Sequence, residues 1–378
     1  MEETDGPAAG GGHGAGYWEP WTTGRGAIVW VAAALFLLFT FISILNNAYH
    51  HTRRNRAEAR YLEGLRLAGA GRNQEAEEDF RAALVYEHDD PKYRLALSQS
   101  LVSLGRWDEA GSHLLELQQG DPTNGPINQM LARIAVRAGR SAEAIQDYNR
   151  AIYGYWPEDG EQSRIAARME LIRVLDARGQ QKQVLAELLA LAGEAPDNDL
   201  PLRRGIGEML LAHHSPQHAA ETYRGILAAH PRDAASERGL GEAEFEMGDF
   251  VAARNAFRAA ARRGPADPAL AQRIALTDDI LALDPTLVRL TMSQRYERAG
   301  QILRRTLASA NACTAVPQDL AGSAEKILGA RPQRMREGET AGALTLSQEL
   351  WSLRQNACAR TPEADQALAA VMTKIGKQ

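Results

Sequence analysis

The sequence predicts an all-α protein: a single N-terminal transmembrane helix, then an α-solenoid of about six helical hairpins, then a C-terminal helical cap. Three observations predict it. Residues 27–45 run AIVWVAAALFLLFTFISIL, without a charge. Beyond them, one alanine-centred pattern returns at 34-residue steps. Strong helix formers (Ala, Leu, Arg, Glu, Gln) abound, and aromatic residues make up only 6% of the chain.

Residues 1–26 are rich in glycine and carry Glu2, Glu3, Asp5 and Glu19 against Arg25 alone. Such a segment cannot bury a core and is expected to be disordered. At about 1.5 Å per residue, the run 27–45 crosses the roughly 30 Å hydrocarbon core of a bilayer. Trp18, Trp21 and Tyr49 flank it, where amphipathic rings suit headgroup depth. A cleaved signal peptide would need a short basic leader and a small-residue cleavage site. This leader is long and acidic, and NNAYHHTRRNR offers no such site, so a retained anchor is expected.

Residues 46–56 read as a basic juxtamembrane linker. Arg53, Arg54 and Arg56, with Arg60 beyond, outnumber Arg25 on the other side. Positive flanks favour the cytoplasmic face. The expectation is a single-pass protein of the cell (inner) membrane with its large domain in the cytoplasm, the periplasm being the alternative. The arginines would also suit anionic lipid headgroups, at about 1 kcal/mol each.

Residues 57–267 carry the repeat. Ala76, Ala110 and Ala144 stand 34 apart, as do Ala219 and Ala253. Four residues after each comes a large side chain: Phe80, Leu114, Tyr148, Tyr223 or Phe257. Gly71, Gly105, Gly139 and Gly248 precede most of them by five. Pro122, Pro231 and Pro265 follow by twelve. A fourth copy, with Gly179, Val184 and Pro196, lies 40 residues after the third. The extra six residues are expected to bulge outward within GYWPEDGEQ. The units are 57–90, 91–124, 125–163, 164–199, 200–233 and 234–267.

This pattern resembles the tetratricopeptide repeat (TPR), a 34-residue helix–turn–helix unit, as found in membrane-anchored bacterial proteins of that family. Gly64, Gly207 and Gly241 keep the family's small position, and Ser98 and Ala132 approximate it. The family's early Trp and Leu-Gly pair are degraded. The resemblance implies stacked hairpins whose first helices line a groove that holds peptides or partner proteins. The family's groove positions fall, at the fifth residue of each unit, on Tyr61, Leu95, Gln129, Met169, Arg204 and Arg238. At the ninth they fall on Leu65, Gln99, Arg133, Arg173, Glu208 and Glu242. The polar candidates for partner binding are therefore Gln99, Gln129, Arg133, Arg173, Arg204 and Arg238. Arg204–Glu208 and Arg238–Glu242 are spaced i,i+4 and are expected to satisfy each other, at about 0.3–0.5 kcal/mol. Arg133 and Arg173 have no acid four residues on, so they are the stronger candidates for a carboxylate or phosphate. The Lys and Asn set by which part of the family clamps a terminal carboxylate is missing.

From 268 to 378 the repeat fades, but helices are predicted near 269–283, 293–313, 317–329, 341–357 and 362–376, separated by prolines. They are expected to cap the array. Cys313 and Cys358 each close a helix. If the helices from 293 to 357 alternate in direction, both thiols reach one end, which permits a disulfide. An oxidising compartment would favour the bond and the cytoplasm two free thiols, so this pair weighs against the cytoplasmic orientation.

The chain lacks a phosphate loop, H-E-x-x-H, G-x-S-x-G and C-x-x-C. His213, His214 and His218 surround Pro216 in a predicted solvated turn. Asp278, Asp279 and Asp284 have no matching base. No catalytic residue, metal site or cofactor is expected, and the protein is not expected to be an enzyme. A formal net charge of −5 gives no basic surface for nucleic acid. The expected partners are proteins and, through residues 27–45, lipid. The expected role is a membrane-tethered scaffold or adaptor in the assembly of a membrane complex. The alternatives are a periplasmic holder of unfolded clients and a structural subunit.

Overall fold

The computed structural model describes residues 24–157, 160–330, 337–358 and 360–376. The predicted disordered tail falls, up to residue 23, outside them. Among the described residues the chain is helical, and its only β feature is an isolated parallel bridge between Asn124 and Tyr155. It divides into two compact units, at Gly160 and Glu161.

The first unit begins with α1, Gly24–Gly69, a single helix of 46 residues. Residues 46–56, expected as a linker, are part of it. They contain neither Gly nor Pro, so nothing breaks the helix between the apolar run and the first repeat. Ile28, Phe36, Phe39 and Ile44 on the apolar run are exposed. The end of α1 packs against α2 (Asn73–Tyr86); α3 (Pro91–Ser103) pairs with α4 (Trp107–Gly120), and α5 (Gly125–Arg137) with α6 (Ser141–Ile152). Leu67, Phe80, Leu97, Leu101, Leu114, Ile127 and Leu131 form a core shared by successive hairpins. Glu58 of α1 accepts hydrogen bonds from the Lys92 ammonium (2.9 Å) and the Tyr93 hydroxyl (3.0 Å) of α3. The Lys92 bond holds the Glu58 carboxyl below its usual pKa. Burial, then the bond to Glu58, pushes the Tyr93 phenol up to about 12.

The second unit repeats the scheme with α7 (Gly160–Ala177) and α8 (Gln181–Glu194), α9 (Leu200–Ala212) and α10 (Pro216–Ala229), and α11 (Ala234–Met247) and α12 (Phe250–Arg263). Together the two units hold six hairpins. The period is visible in the helix starts. Asp90 and Asn124 in the first unit, and Asp199, Asp233 and Asp267 in the second, each accept a backbone N–H at the head of a first helix. Each bond satisfies a donor the helix leaves open. The period is visible in the turns as well. Gly71, Gly105, Gly139, Gly179 and Gly248 have positive φ. Where the fifth unit would place its glycine stands His214, at φ 55°.

The recurrent small position now has a cause. A Cβ at Gly64 would lie 2.6 Å from the Phe80 ring, and one at Gly207 would lie 2.6 Å from that of Tyr223. Gly241 meets Phe257 in the same way. Inside the second unit, Arg168 of α7 is only 1% exposed. Its guanidinium donates to Glu187 of α8 and, at 2.7 Å, to Glu194. Burial pulls the Arg168 pKa down, but the bonds to Glu194 and Glu187 outweigh it, and the value ends above normal.

The rest of the second unit comprises α13 (Pro268–Leu283), α14 (Met292–Asn311), α15 (Gln318–Gly329), α16 (Glu337–Ala357), a 3-10 turn at Glu363–Asp365 and α17 (Gln366–Ile375). Leu368, Val371 and Met372 of α17 join Ile280 and Leu283 of α13 and Trp351 of α16 in one cluster. The fully buried Asp284 receives Lys374 at 2.8 Å and thereby fastens α17. Cys313 and Cys358, just past the ends of α14 and α16, are joined in a disulfide with Cα atoms 5.8 Å apart.

Candidate functional site

The site lies in the first unit, where α3 and α5 face the start of α4. Side chains four apart on a helix share a face. Gln99 and Ser103 of α3 and Gln129 and Arg133 of α5 therefore present two polar pairs, with Val102, Pro126 and Met130 between them. Trp107, the first residue of α4, supplies one wall. Together these residues and Trp156 line a cleft of about 300 Å³.

Trp156 comes from the six-residue insertion, which does not bulge outward as expected. Residues 153–157 fold back on the loop before α5; residues 158 and 159 lie outside the described ones. Tyr155 N–H donates to Thr123 O (2.8 Å), and Gly125 N–H donates to Tyr155 O (2.9 Å). The Trp156 indole donates to Ala151 O at 2.9 Å. A Cβ at Gly125 would lie 2.7 Å or less from the indole, so only glycine leaves room for the ring. The reason is energetic: the Trp156 ring gains more by covering apolar surface than by standing in water, while Tyr153 and Tyr155 stay exposed.

Gln99 and Arg133 are exposed, and Gln129 is buried at 8% exposure. Gln129 thus belongs to the floor of the cleft rather than to an open groove surface. Among the described residues, Arg133 is the only charged one in the lining. The Trp107 Nε1 hydrogen is buried and meets no acceptor among the described residues, while the Arg137 guanidinium stacks over the ring at 4.8 Å. Trp107 also borders a second cleft, of about 420 Å³, with Arg106, Ile134 and Arg137.

The other candidates belong to the second unit. Arg173 lies exposed on α7. Arg204 and Arg238 do not pair with Glu208 and Glu242 on their own helices, as their spacing predicted. Arg204 reaches Asp233 at 3.6 Å, and Arg238 reaches Asp267 at 2.7 Å. Each arginine closes on the carboxylate that caps the next first helix. Glu242 is taken by Arg273. A cap carboxylate is already fixed by a backbone N–H, so pairing with it immobilises only one long side chain. These two arginines hold successive hairpins together, and neither is free to grasp a ligand as it stands.

His213 bonds to Gln181 (2.8 Å) and His218 to Ser215 (2.8 Å). Among the described residues no group of three His, Cys, Asp or Glu side chains is placed to hold a metal ion. Sequence reasoning missed Trp107 and Trp156. The available signal was scarcity: the chain has six tryptophans, and one of them stands in a polar insertion.

The tetratricopeptide repeat signature matches residues 61–125 and 205–268, one stretch in each unit. No curated protein matches the chain significantly. Many solved structures do. A tetratricopeptide repeat protein from Parabacteroides merdae is 15% identical, with a TM-score of 0.38 over 80% of this chain and 100% of that one. YrrB, described as a TPR protein with an unusual peptide-binding site, is 19% identical, with a TM-score of 0.37 over 51% and 95%. The C-terminal part of a TPR repeat-containing protein from Cytophaga hutchinsonii is 11% identical, with a TM-score of 0.41 over 82% and 99%.

Proposed function

We propose, from the premise that this chain is a tetratricopeptide repeat protein, that it is a membrane-tethered scaffold that captures a partner protein in the α3–α5 cleft. Proteins of this repeat class generally serve as interaction scaffolds. The observation that carries the reading is the convergence of Gln99, Gln129 and Arg133 with two tryptophans on one cleft. The tether rests on α1, the one described helix long and apolar enough to cross a bilayer. Because α1 continues without a break, residues 46–57 are a rigid rod of about 18 Å. The cleft is therefore held near the lipid surface, which raises the effective concentration of a membrane-bound partner without any new contact.

The disulfide supports placing the repeats on the oxidising side of the membrane, since cytoplasmic thiol pools keep such pairs reduced. The cluster Arg53, Arg54 and Arg56 favours the opposite, cytoplasmic face. We give the covalent bond more weight, because large domains translocate largely regardless of flanking charge.

A photo-crosslinking residue in place of Gln99, irradiated in native membranes, is expected to capture a discrete protein. Capture that persists undiminished in a Trp156→Ala, Arg133→Gln background would remove the cleft from this reading. Labelling of intact cells with an impermeant maleimide tests the orientation. Cys313 and Cys358 are expected to react only after an impermeant reductant is added. Reaction that needs permeabilisation but no reductant would place the repeats in the cytoplasm. Release of the protein by alkaline carbonate would dispose of the tether.

A further inference from the structure

The end of the first unit nearest the apolar run carries a cleft of different chemistry. Arg60 of α1 donates to Asp79 of α2 at 2.8 Å, and Arg53, seven residues earlier, donates to the backbone carbonyl of Tyr86, seven residues later. The two helices therefore run antiparallel in fixed register, and the loop after α2 returns beside the juxtamembrane turns of α1. Between them lies a cleft of about 670 Å³, with His50, Arg53 and Arg54 from α1 and Glu87, Asp89 and Asp90 from the loop. His50 stands five residues beyond Leu45 and Arg54 nine. At about 1.5 Å per residue, these turns lie roughly 8–14 Å from the edge of the apolar run. Helical side chains lean toward the N-terminus of their own helix, which here is the apolar run, so the cleft opens on the headgroup layer.

Several of these groups are engaged within the protein. Arg53 is held by Tyr86, Asp90 caps the Lys92 N–H, and Glu58, also in the lining, is held by Lys92 and Tyr93. Asp89 lies 3.0 Å from the His88 imidazole, and both of these side chains are mostly exposed. The side chains of Arg54 and Glu87 make no hydrogen bond or ion pair among the described residues, although they line the same cleft. A positive and a negative group thus face one cavity without closing on each other.

Resting on the reading that α1 crosses the bilayer, we infer that this cleft binds the headgroup of phosphatidylethanolamine. The phosphate meets the Arg54 guanidinium, whose planar fork matches two of its oxygens. The primary ammonium has three N–H donors and meets the carboxylates of Glu87 and Asp89. A headgroup with both charges neutralises both walls at once. A purely anionic headgroup leaves the acidic loop facing a second negative charge. Choline has no N–H to give the carboxylates and favours a cage of aromatic rings, where this lining has one phenol ring, Tyr93. Binding in this mode fixes the α2–α3 loop to the lipid surface and so orients the first hairpins to it.

The full chain tests this in phosphatidylcholine nanodiscs that hold equal minor amounts of phosphatidylethanolamine and phosphatidylglycerol, with retained lipids counted by native mass spectrometry. Corrected for abundance, phosphatidylethanolamine should be retained about 3-fold or more over either other lipid. Glu87→Gln with Asp89→Asn should abolish that preference and shift retention toward phosphatidylglycerol. Arg54→Gln should lower phosphatidylethanolamine retention about 3-fold. Arg140→Gln, outside the cleft, should change nothing. Phosphatidylglycerol retained as well as phosphatidylethanolamine by the wild type, or a preference that survives Glu87→Gln with Asp89→Asn, overturns the proposal. Free phosphoethanolamine should not displace the lipid below about 1 mM. Displacement there would make the ligand a soluble phosphoamine and overturn the lipid assignment. If the chain enters the discs and shows no headgroup preference, this inference falls and the tether stands. If it does not enter them, both fall.

Discussion

Two glycines on one helix should respond to the same substitution with opposite signs. Gly205 and Gly207 both lie inside α9. A Cβ at Gly205 would meet nothing within 4 Å. Alanine there should stabilise the protein by about 0.5–1 kcal/mol, the ordinary gain for a helix interior. A Cβ at Gly207 would lie 2.6 Å from Tyr223 Cζ and 2.9 Å from Cε1. The ring has no retreat: Tyr223 is 1% exposed, and a Cβ at Gly239 of α11 would lie 2.5 Å from the same Cε1. It is a wedge between two backbones. Overpacking of this kind costs about 1–3 kcal/mol, of which helix propensity returns about 1. Gly207→Ala should therefore destabilise by up to about 2 kcal/mol, and the two variants should differ by the overpacking cost itself, about 1–3 kcal/mol. Urea unfolding followed by ellipticity measures the difference. Hydrogen exchange over residues 200–247 assigns it to these hairpins, since stacked repeats open locally. Gly207→Ala at or above wild-type stability, or both alanines shifting the midpoint alike, would refute the wedge.

Four further outcomes are expected. Gly125→Ala should eject the Trp156 indole and lower stability by about 1–3 kcal/mol, read as increased acrylamide quenching of tryptophan fluorescence and weaker partner capture. His214→Gly should raise stability by about 1 kcal/mol in thermal melts, by removing a non-glycine residue from positive φ. Arg168→Met should lower stability by about 3–5 kcal/mol because it strands Glu187 against α7; adding Glu187→Met should recover most of the loss, by the logic of buried pairs. The Glu58 carboxyl is held below the ordinary 4.5 by Lys92, so its contribution is present above that value and fades as pH falls through the lower folded-state value. The wild-type urea midpoint should thus drop more than that of Glu58→Gln between pH 7 and pH 3, and parallel drops would refute the link.

What was legible in the sequence was what repeats. The glycine turns at 71, 105, 139, 179 and 248 are a local device, stated several times at fixed spacing; the caps at Asp90, Asn124, Asp199, Asp233 and Asp267 recur as well but were not read from the sequence. Each copy corroborates the others, so helix boundaries could be read within a few residues. The pairings of Arg204 and Arg238 were misread because spacing along one helix says nothing of a carboxylate 29 residues on. The juxtamembrane stretch, read as a basic linker, contains no helix breaker and continues α1. Trp156 was missed because it occurs once, and the residue that makes room for it, Gly125, stands at the other end of the same unit, at the head of α5.

These misses share a physical cause. Periodicity reports the frame, which any sequence able to stack hairpins must satisfy, and so it carries little about a particular partner. The cleft depends on departures from the period. Gln99 and Arg133 occupy the same repeat position and differ in charge, Gln129 stands where the preceding unit has Leu95, and Trp156 lies in an insertion that the other units lack. A second chain with the same 34-residue frame and a different insertion would therefore keep the fold and lose this pocket. Exchanging residues 153–160 for a plain turn provides the direct comparison. Helix content and the disulfide should survive, the α3–α5 cleft should lose one wall, and partner capture should fall. Undiminished capture would mean that the groove acts through its repeats alone and that the insertion is structural filler.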